Sequence, residues 1–321
     1  MTDKNDITES KYENLVNKLA FAAHTEQRRS RRWRIFFLVL TFLYLTPVFL
    51  LTIEMGDYDL LKDNDDESSK HTALVELTGV IAAGEKASAE KIIEGLQDAF
   101  SDEDTAGVVL SINSPGGSPV QSAYIYDEIK RLREKYTEIP LYVVVEDVAA
   151  SGGYFIAAAG DKIYVNKSSL VGSIGVRMDN FGFVDLLQKI GVERRLLTAG
   201  EHKGLLDPFL PENEIQKAHL QQMLNEVHQH FISAVKSARG ERLKESPDLF
   251  SGLIWTGEKA ITLGLVDDYG NVKSVARGVI GAENVVNFTA KDLLLDRLAD
   301  RIGASFGKLF STQILNKYLI Q

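Results

Sequence analysis

The chain has 321 residues, 45% of them hydrophobic and 25% charged, which is enough for one large domain or two small ones. Its net charge of −9 is unevenly laid out: residues 1–34 carry eight Lys/Arg against five Asp/Glu, a net of +3, leaving −12 on the remainder. An acidic body of this kind argues against a nucleic-acid partner, and the absence of cysteine excludes disulfides and thiolate chemistry.

Residues 35–53 form 19 positions without a charge, close to the ~20 that cross a hydrocarbon core as a helix. Arg28, Arg29, Arg31, Arg32 and Arg34 crowd one flank, while Glu54, Asp57 and Asp59 begin the other. Positive charge stays inside, so the segment is expected to be a single-pass anchor, with residues 1–34 cytoplasmic and everything after it exported. Pro47 would kink such a helix without abolishing it. A cleaved signal peptide fits less well, because the leader is long and no small-x-small pattern follows Ile53. Residues 54–72, with the run Asp63-Asn64-Asp65-Asp66-Glu67-Ser68-Ser69, read as an acidic, solvated linker.

From residue 73 strands and helices alternate: strand 73–81, helix 88–100, strand 107–112, helix 119–135, strand 141–145 and helix 153–159. This is the βαβ rhythm of a parallel sheet covered on both faces. Short strands are expected at 162–165 and 193–197, the latter after a helix over 183–190. A long helix over 211–239 would bury Ile215, Met223, Val227, Phe231 and Ala234 on one face, with Gly240 past its end. The folded domain is placed at 73–290. Residues 291–321 are amphipathic and read as a core-facing helical tail, partner docking being the alternative.

Two junctions carry the chemistry. Ala149-Ala150-Ser151-Gly152-Gly153-Tyr154 puts one serine between a buried strand and a short helix, where its hydroxyl lies near free backbone N–H groups. An ordinary N-cap serine is the plain alternative. Asn113-Ser114-Pro115-Gly116-Gly117-Ser118-Pro119 ends the neighbouring strand, and its glycines let backbone N–H groups approach a ligand closely. Two N–H-rich loops at the ends of adjacent parallel strands suit acyl transfer: one holds a nucleophile, the other a carbonyl oxygen. The serine then needs a base. No histidine lies between His71 and His202, and His219, His228 and His230 read as a polar helix face, so neither a nearby histidine base nor a metal is implied. Lys203, in the glycine-flanked loop Ala199-Gly200-Glu201-His202-Lys203-Gly204, is the other candidate. A lysine serves as base only when desolvation lowers its pKa from about 10.4, and a solvated loop lysine is the plain alternative.

The Ser-Pro-Gly-Gly loop, the Ala-Ser-Gly-Gly-Tyr stretch around Ser151, the run Val171-Gly172-Ser173-Ile174-Gly175-Val176 and the Lys203 loop, in this order over roughly residues 73–280, resemble the bacterial signal peptide peptidase A family in its short, single-repeat form. The resemblance implies an α/β fold of the crotonase/ClpP-like type, a repeated ββα superhelix shared with the Clp proteases, here preceded by one transmembrane helix. It also implies a serine endopeptidase of the inner membrane, without cofactor, whose catalytic domain is extracytoplasmic and whose substrates are cleaved signal peptides and other membrane-associated peptides. On it Ser151 matches the nucleophile and Lys203 the general base; Ser173 matches the serine that holds the lysine amine, and Gly117 with Gly152 the oxyanion hole. Homo-oligomers with sites shared between subunits are likewise implied. Quality control of membrane proteins would use the same chemistry. An acyl-CoA enzyme of the crotonase fold would need carboxylates at the site and no serine nucleophile, and an inactive membrane scaffold would need neither.

Overall fold

The computed structural model describes residues 28–29, 31–47 and 70–290. They belong to two compact units, one within residues 1–67 and one within 68–321. In the first unit residues 31–47 form a helix, α1, whose side chains are almost all exposed. Trp33 stacks on Phe37, with ring centroids 5.7 Å apart. Among the described residues no helix is long and apolar enough to cross a membrane. Positions 48–53 of the expected anchor, most of the linker, residues 1–27 and the 291–321 tail lie outside the described residues.

The second unit is built on a sheet of eight strands. In chain order its elements are β1 (His71–Thr78), α2 (Ala89–Ser101), β2 (Thr105–Ser114), α3 (Pro119–Lys135), β3 (Leu141–Ala150), α4 (Gly152–Ala157), β4 (Lys162–Val165), β5 (Leu170–Gly172), α5 (Val184–Lys189), α6 (Glu214–Arg239), β6 (Ile254–Thr256), α7 (Gly257–Thr262), β7 (Asp268–Tyr269), α8 (Val272–Val275) and β8 (Val285–Asn287). The strand order is β6-β5-β3-β2-β1-β8, with β4 between β3 and β7 on a side branch. Every pairing is parallel except β5 with β6. β3 is the fork: Tyr142–Val145 pair with β4, and Val148–Ala150 with β5. A single strand thereby feeds two directions of sheet, which is why it runs on past Val145 through the exposed Glu146 and Asp147.

The unbroken apolar run of β2 follows from burial on both faces. Val108, Leu110 and Ile112 enter the main core with Leu96, Ile125 and Tyr154, while Val109 meets Val144, Tyr164 and Val275 on the other side. Helices α2 and α3 cover the first face, with the end of α6 beside them. Ser118 caps α3 as its sequence suggests, accepting from Gln121 N at 3.4 Å, with Pro119 in the first turn.

The structure corrects two expectations. Residues 193–197 form no strand. Glu193 and Arg195 pair with each other in solvent and Leu197 is 98% exposed, so the segment has no sheet edge whose hydrogen bonds would hold it extended. In α6, Phe231 and Val235 are buried, but Ile215 is 71% and Met223 41% exposed. Among the described residues, only the last turns of that helix reach the core. They are held there by Arg239, fully buried, whose guanidinium makes two hydrogen bonds to Asp267 at 2.7 and 2.9 Å and a third to the Gly264 carbonyl. Burial alone would raise the Asp267 carboxyl, but the bonds and charge of Arg239 hold it below its ordinary value.

Candidate active site

The C-terminal ends of β1, β2, β3 and β5 lie side by side, and the motif residues sit there because parallel strands bring their loops to one edge. Gly79 ends β1 with a φ of 96°, two residues before Ile81 meets Gly117 in an isolated parallel bridge. That bridge fixes the Ser-Pro-Gly-Gly loop: Ile81 N donates to Gly116 O at 3.0 Å and Ser118 N to Ile81 O at 2.7 Å. The buried Ser114 hydroxyl donates to Gly79 O at 2.6 Å and accepts from Gly116 N at 3.1 Å. No side chain fits at the two glycines. A Cβ on Gly116 would lie 2.7 Å from Gly152 N and 2.8 Å from Ser151 Cβ, and one on Gly117 would lie 2.1 Å from the Ile81 carbonyl oxygen.

Ser151 stands at the junction of β3 and α4 with φ 53° and ψ −122°, a backbone region that costs a non-glycine residue on the order of 1–3 kcal/mol. The strain is held from both sides, since Ser151 N donates to Gly172 O at 2.8 Å and Ser151 O accepts from Phe155 N at 2.9 Å. Although it occupies the N-cap position, its side chain makes no capping bond. That removes the plain N-cap reading and leaves the hydroxyl uncommitted. Gly152 packs on α3: a Cβ there would lie 2.4 Å from Ser122 Oγ and 3.3 Å from Gly117 N. The structure thus brings Gly116, Gly117, Ser151 and Gly152 together.

Ser173 joins them through the sheet. Ala150 pairs with Gly172, so Ser151 and Ser173 each follow one member of a paired couple. Ser173 also has a positive φ, 52°, and its N–H donates to Leu253 O at 2.7 Å. Lys203 is not drawn in. It lies exposed in the turn over residues 201–206, its backbone N–H on Gly200 O at 3.1 Å, and its amine makes no hydrogen bond or ion pair among the described residues. The nearby Asp207 is engaged with Arg194 at 2.9 Å, and His202 Nδ1 lies 3.4 Å from Gln216 Nε2. The Phe209 N–H and the Arg194 guanidinium lower the Asp207 carboxyl below its usual range.

A cavity of about 850 Å³ lies in this projecting region between residues 178–213 and the first half of α6, with Phe181, Leu196, Leu205 and Leu224 in its walls. None of Ser151, Ser173, Gly117 and Gly152 lines it. Two residues, Ser122 and Trp255, were not singled out by sequence, and a third, His228, was read there only as part of a polar helix face. Ser122 backs onto Gly152 and donates to Ser118 O at 2.9 Å, an i, i+4 spacing that was legible. His228 is not simply a polar-face residue, for its Nε2 lies 3.0 Å from the carbonyl of Ile174, next to Ser173. Trp255 lies against Gly172. Neither of the last two leaves a local trace in sequence.

With this geometry in view, the comparisons are direct. The model of "Peptidase family S49" matches residues 133–285 and that of "Clp protease" residues 71–170. The chain is 31% identical over 204 residues to slr0021, a candidate protease of Synechocystis sp., covering 63% of this chain and 70% of that one. It is 29% identical over 225 residues to a candidate signal peptide peptidase SppA of Enterococcus faecium (67% and 65%), and 47% identical over 220 residues to the Na(+)/H(+) antiporter NhaA of Brucella abortus (68% and 30%). The chain therefore spans under a third of the antiporter's length and just under two thirds of the SppA relative's. Fold and family-model matches place the chain among peptidase-family proteins. The chain belongs to peptidase family S49.

Proposed function

We propose that the protein cleaves peptide bonds of membrane-associated peptides, chiefly released signal peptides, with Ser151 as nucleophile and Lys203 as general base. The observation that carries this is Ser151 itself: a strained, doubly pinned serine whose hydroxyl is not spent on capping α4. The neutral Lys203 amine takes the hydroxyl proton as Oγ bonds to the carbonyl carbon. The N–H groups of Gly117 and Gly152 receive the oxyanion, and the new ammonium gives its proton to the leaving amine as the C–N bond breaks. Water, activated by the same amine, then hydrolyses the ester. Ser173 holds the amine in place.

Lysine in water would be a poor base at neutral pH, with roughly one amine in a few thousand uncharged. Because Lys203 is exposed in the single chain, we assign its desolvation to assembly: Lys203 of one copy meets Ser151 of the next in a homo-oligomer. The projecting region supports this, exposing Phe181 (74%), Leu197 (98%) and Ile215 (71%) around the Lys203 turn, an apolar surface suited to a second copy. Anchoring follows the uncharged stretch 35–53, helical over its described part, behind five arginines. We place the amino end in the cytoplasm and the peptidase domain outside.

Mixing tests the shared site. Ser151→Ala and Lys203→Ala chains are each expected to be inactive on a quenched fluorescent peptide, losing at least ~10³ in kcat/KM. Co-assembled, they should regain activity, because a serine from one meets a lysine from the other. Two inactive parents that stay inactive when mixed in a demonstrated oligomer would refute the shared site. An active Ser151→Ala chain would refute the nucleophile.

A further inference from the structure

Among the described residues the indole Nε1 of Trp255 is a buried side-chain nitrogen with no hydrogen-bond partner. A buried donor without an acceptor is unfavourable, and in a native structure it asks for an explanation. The position of this one is informative. Trp255 lies on β6 opposite Val171 of β5, and its ring rests on the next residue: a Cβ built on Gly172 would lie 3.0 Å from Trp255 Cδ1 and 3.5 Å from Nε1. Gly172 is the residue whose carbonyl holds the Ser151 N–H. On its other side Ser173 carries a hydroxyl that also makes no hydrogen bond among the described residues, on a backbone held at φ 52° by the carbonyl of Leu253, two residues before Trp255. An unpartnered donor and an unpartnered hydroxyl thus flank one glycine at the junction of the two serine loops. Across an antiparallel pair a diagonal neighbour is within reach of an aromatic side chain.

We propose that Trp255 is a positioning residue of this site: in the competent enzyme its indole N–H donates to Ser173 Oγ and fixes that oxygen, which in turn accepts from the Lys203 amine. This rests on the reading of Ser151, Ser173 and Lys203 given above. A hydroxyl oxygen has two acceptor sites, so it can take the indole N–H and an amine N–H together. The first bond removes the freedom of the Ser173 rotor, and the amine lone pair is left aimed at Ser151. Trp255 makes no contact with substrate in this scheme and acts through Ser173 alone.

Trp255→Phe keeps most of the ring and deletes the N–H. On the quenched fluorescent peptide, with the full-length oligomer, kcat is expected to fall about tenfold, the worth of one ordinary hydrogen bond, with KM unchanged. In a Ser173→Ala background, Trp255→Phe should have no further effect on kcat. The proposal is overturned by a kcat within twofold of the parent, by a rise in KM alone, or by full additivity with Ser173→Ala. Ser151→Ala separates the two levels: if it is inactive while Trp255→Phe is as fast as the parent, only the role of Trp255 falls, whereas an active Ser151→Ala chain removes the dyad reading and this one with it.

Discussion

Gly117→Ala tests how closely the site depends on backbone contact. The added Cβ would stand 2.1 Å from the Ile81 carbonyl oxygen and 2.8 Å from both Ile81 C and Ile81 N. Carbon and oxygen do not approach within about 3.0 Å, so the loop or residue 81 must retreat by about 0.9 Å, and since the obstacle is main chain no rotamer can give way. The retreat pulls on Ile81 N to Gly116 O and Ser118 N to Ile81 O, at 3.0 and 2.7 Å. At about 0.5–1.5 kcal/mol each, their loss costs about 1–3 kcal/mol of stability. Activity should suffer more, because a shift of about 1 Å in an oxyanion donor typically costs ~10² in rate. Urea unfolding and peptide hydrolysis measure the two effects. The control is Gly84→Ala, which also has a positive φ, 82°, but no atom within 4 Å of the new Cβ. It should lose about 1 kcal/mol through backbone strain and leave kcat/KM untouched. A Gly117→Ala enzyme with activity within threefold of the parent would show that residue 117 is no part of the reaction.

Gly152→Ala should be destabilised by its 2.4 Å approach to Ser122 Oγ, and Ser122→Ala should restore part of that loss, giving a positive coupling in a double-mutant cycle of denaturation midpoints. Arg239→Met takes two hydrogen bonds from Asp267, which keeps Arg242 at 3.3 Å and the Ile163 N–H at 2.7 Å, and should cost about 1.5–3 kcal/mol by urea titration, although the residue is remote from the serines. Because the Asp267 pKa lies lower in the folded chain than in the unfolded one, its contribution is present above the ordinary carboxylate range and is lost as pH falls through the folded value. Calorimetry between pH 2 and 6 should show a weaker acid dependence for Asp267→Asn than for the parent. Tyr154→Phe leaves the Leu265 carbonyl without the 2.7 Å bond from the phenol and should lose about 1–2 kcal/mol, with no change at alkaline pH below 10, since burial pushes that phenol well above its usual range.

How much of this was written in the sequence depends on whether a residue's setting is local. Strands β2 and β4 and helix α3 were legible because apolar runs, a Ser-Pro start and a fixed period are properties of neighbouring residues. The serine and glycine loops were legible for the same reason, lying where strands end. Three things were not local. The apolar residues Ile215 and Met223 follow a helical stripe, yet the described residues supply no surface to cover them. Residues 193–197 alternate like a strand, but a strand is defined by its neighbour, and among the described residues there is none here. Trp255 and His228 act on Gly172 and Ile174 across more than 50 positions, and nothing in their own surroundings announces it.

Helix α6 deserves a mechanical description. It is bolted to the sheet at Arg239 and steadied at His228 on the carbonyl of Ile174, while its first three turns face residues 178–213 and leave Ile215 and Met223 exposed. A beam fixed in this way has its fulcrum one residue from Ser173. The imidazole that steadies the helix thus rests on the main chain right beside that serine.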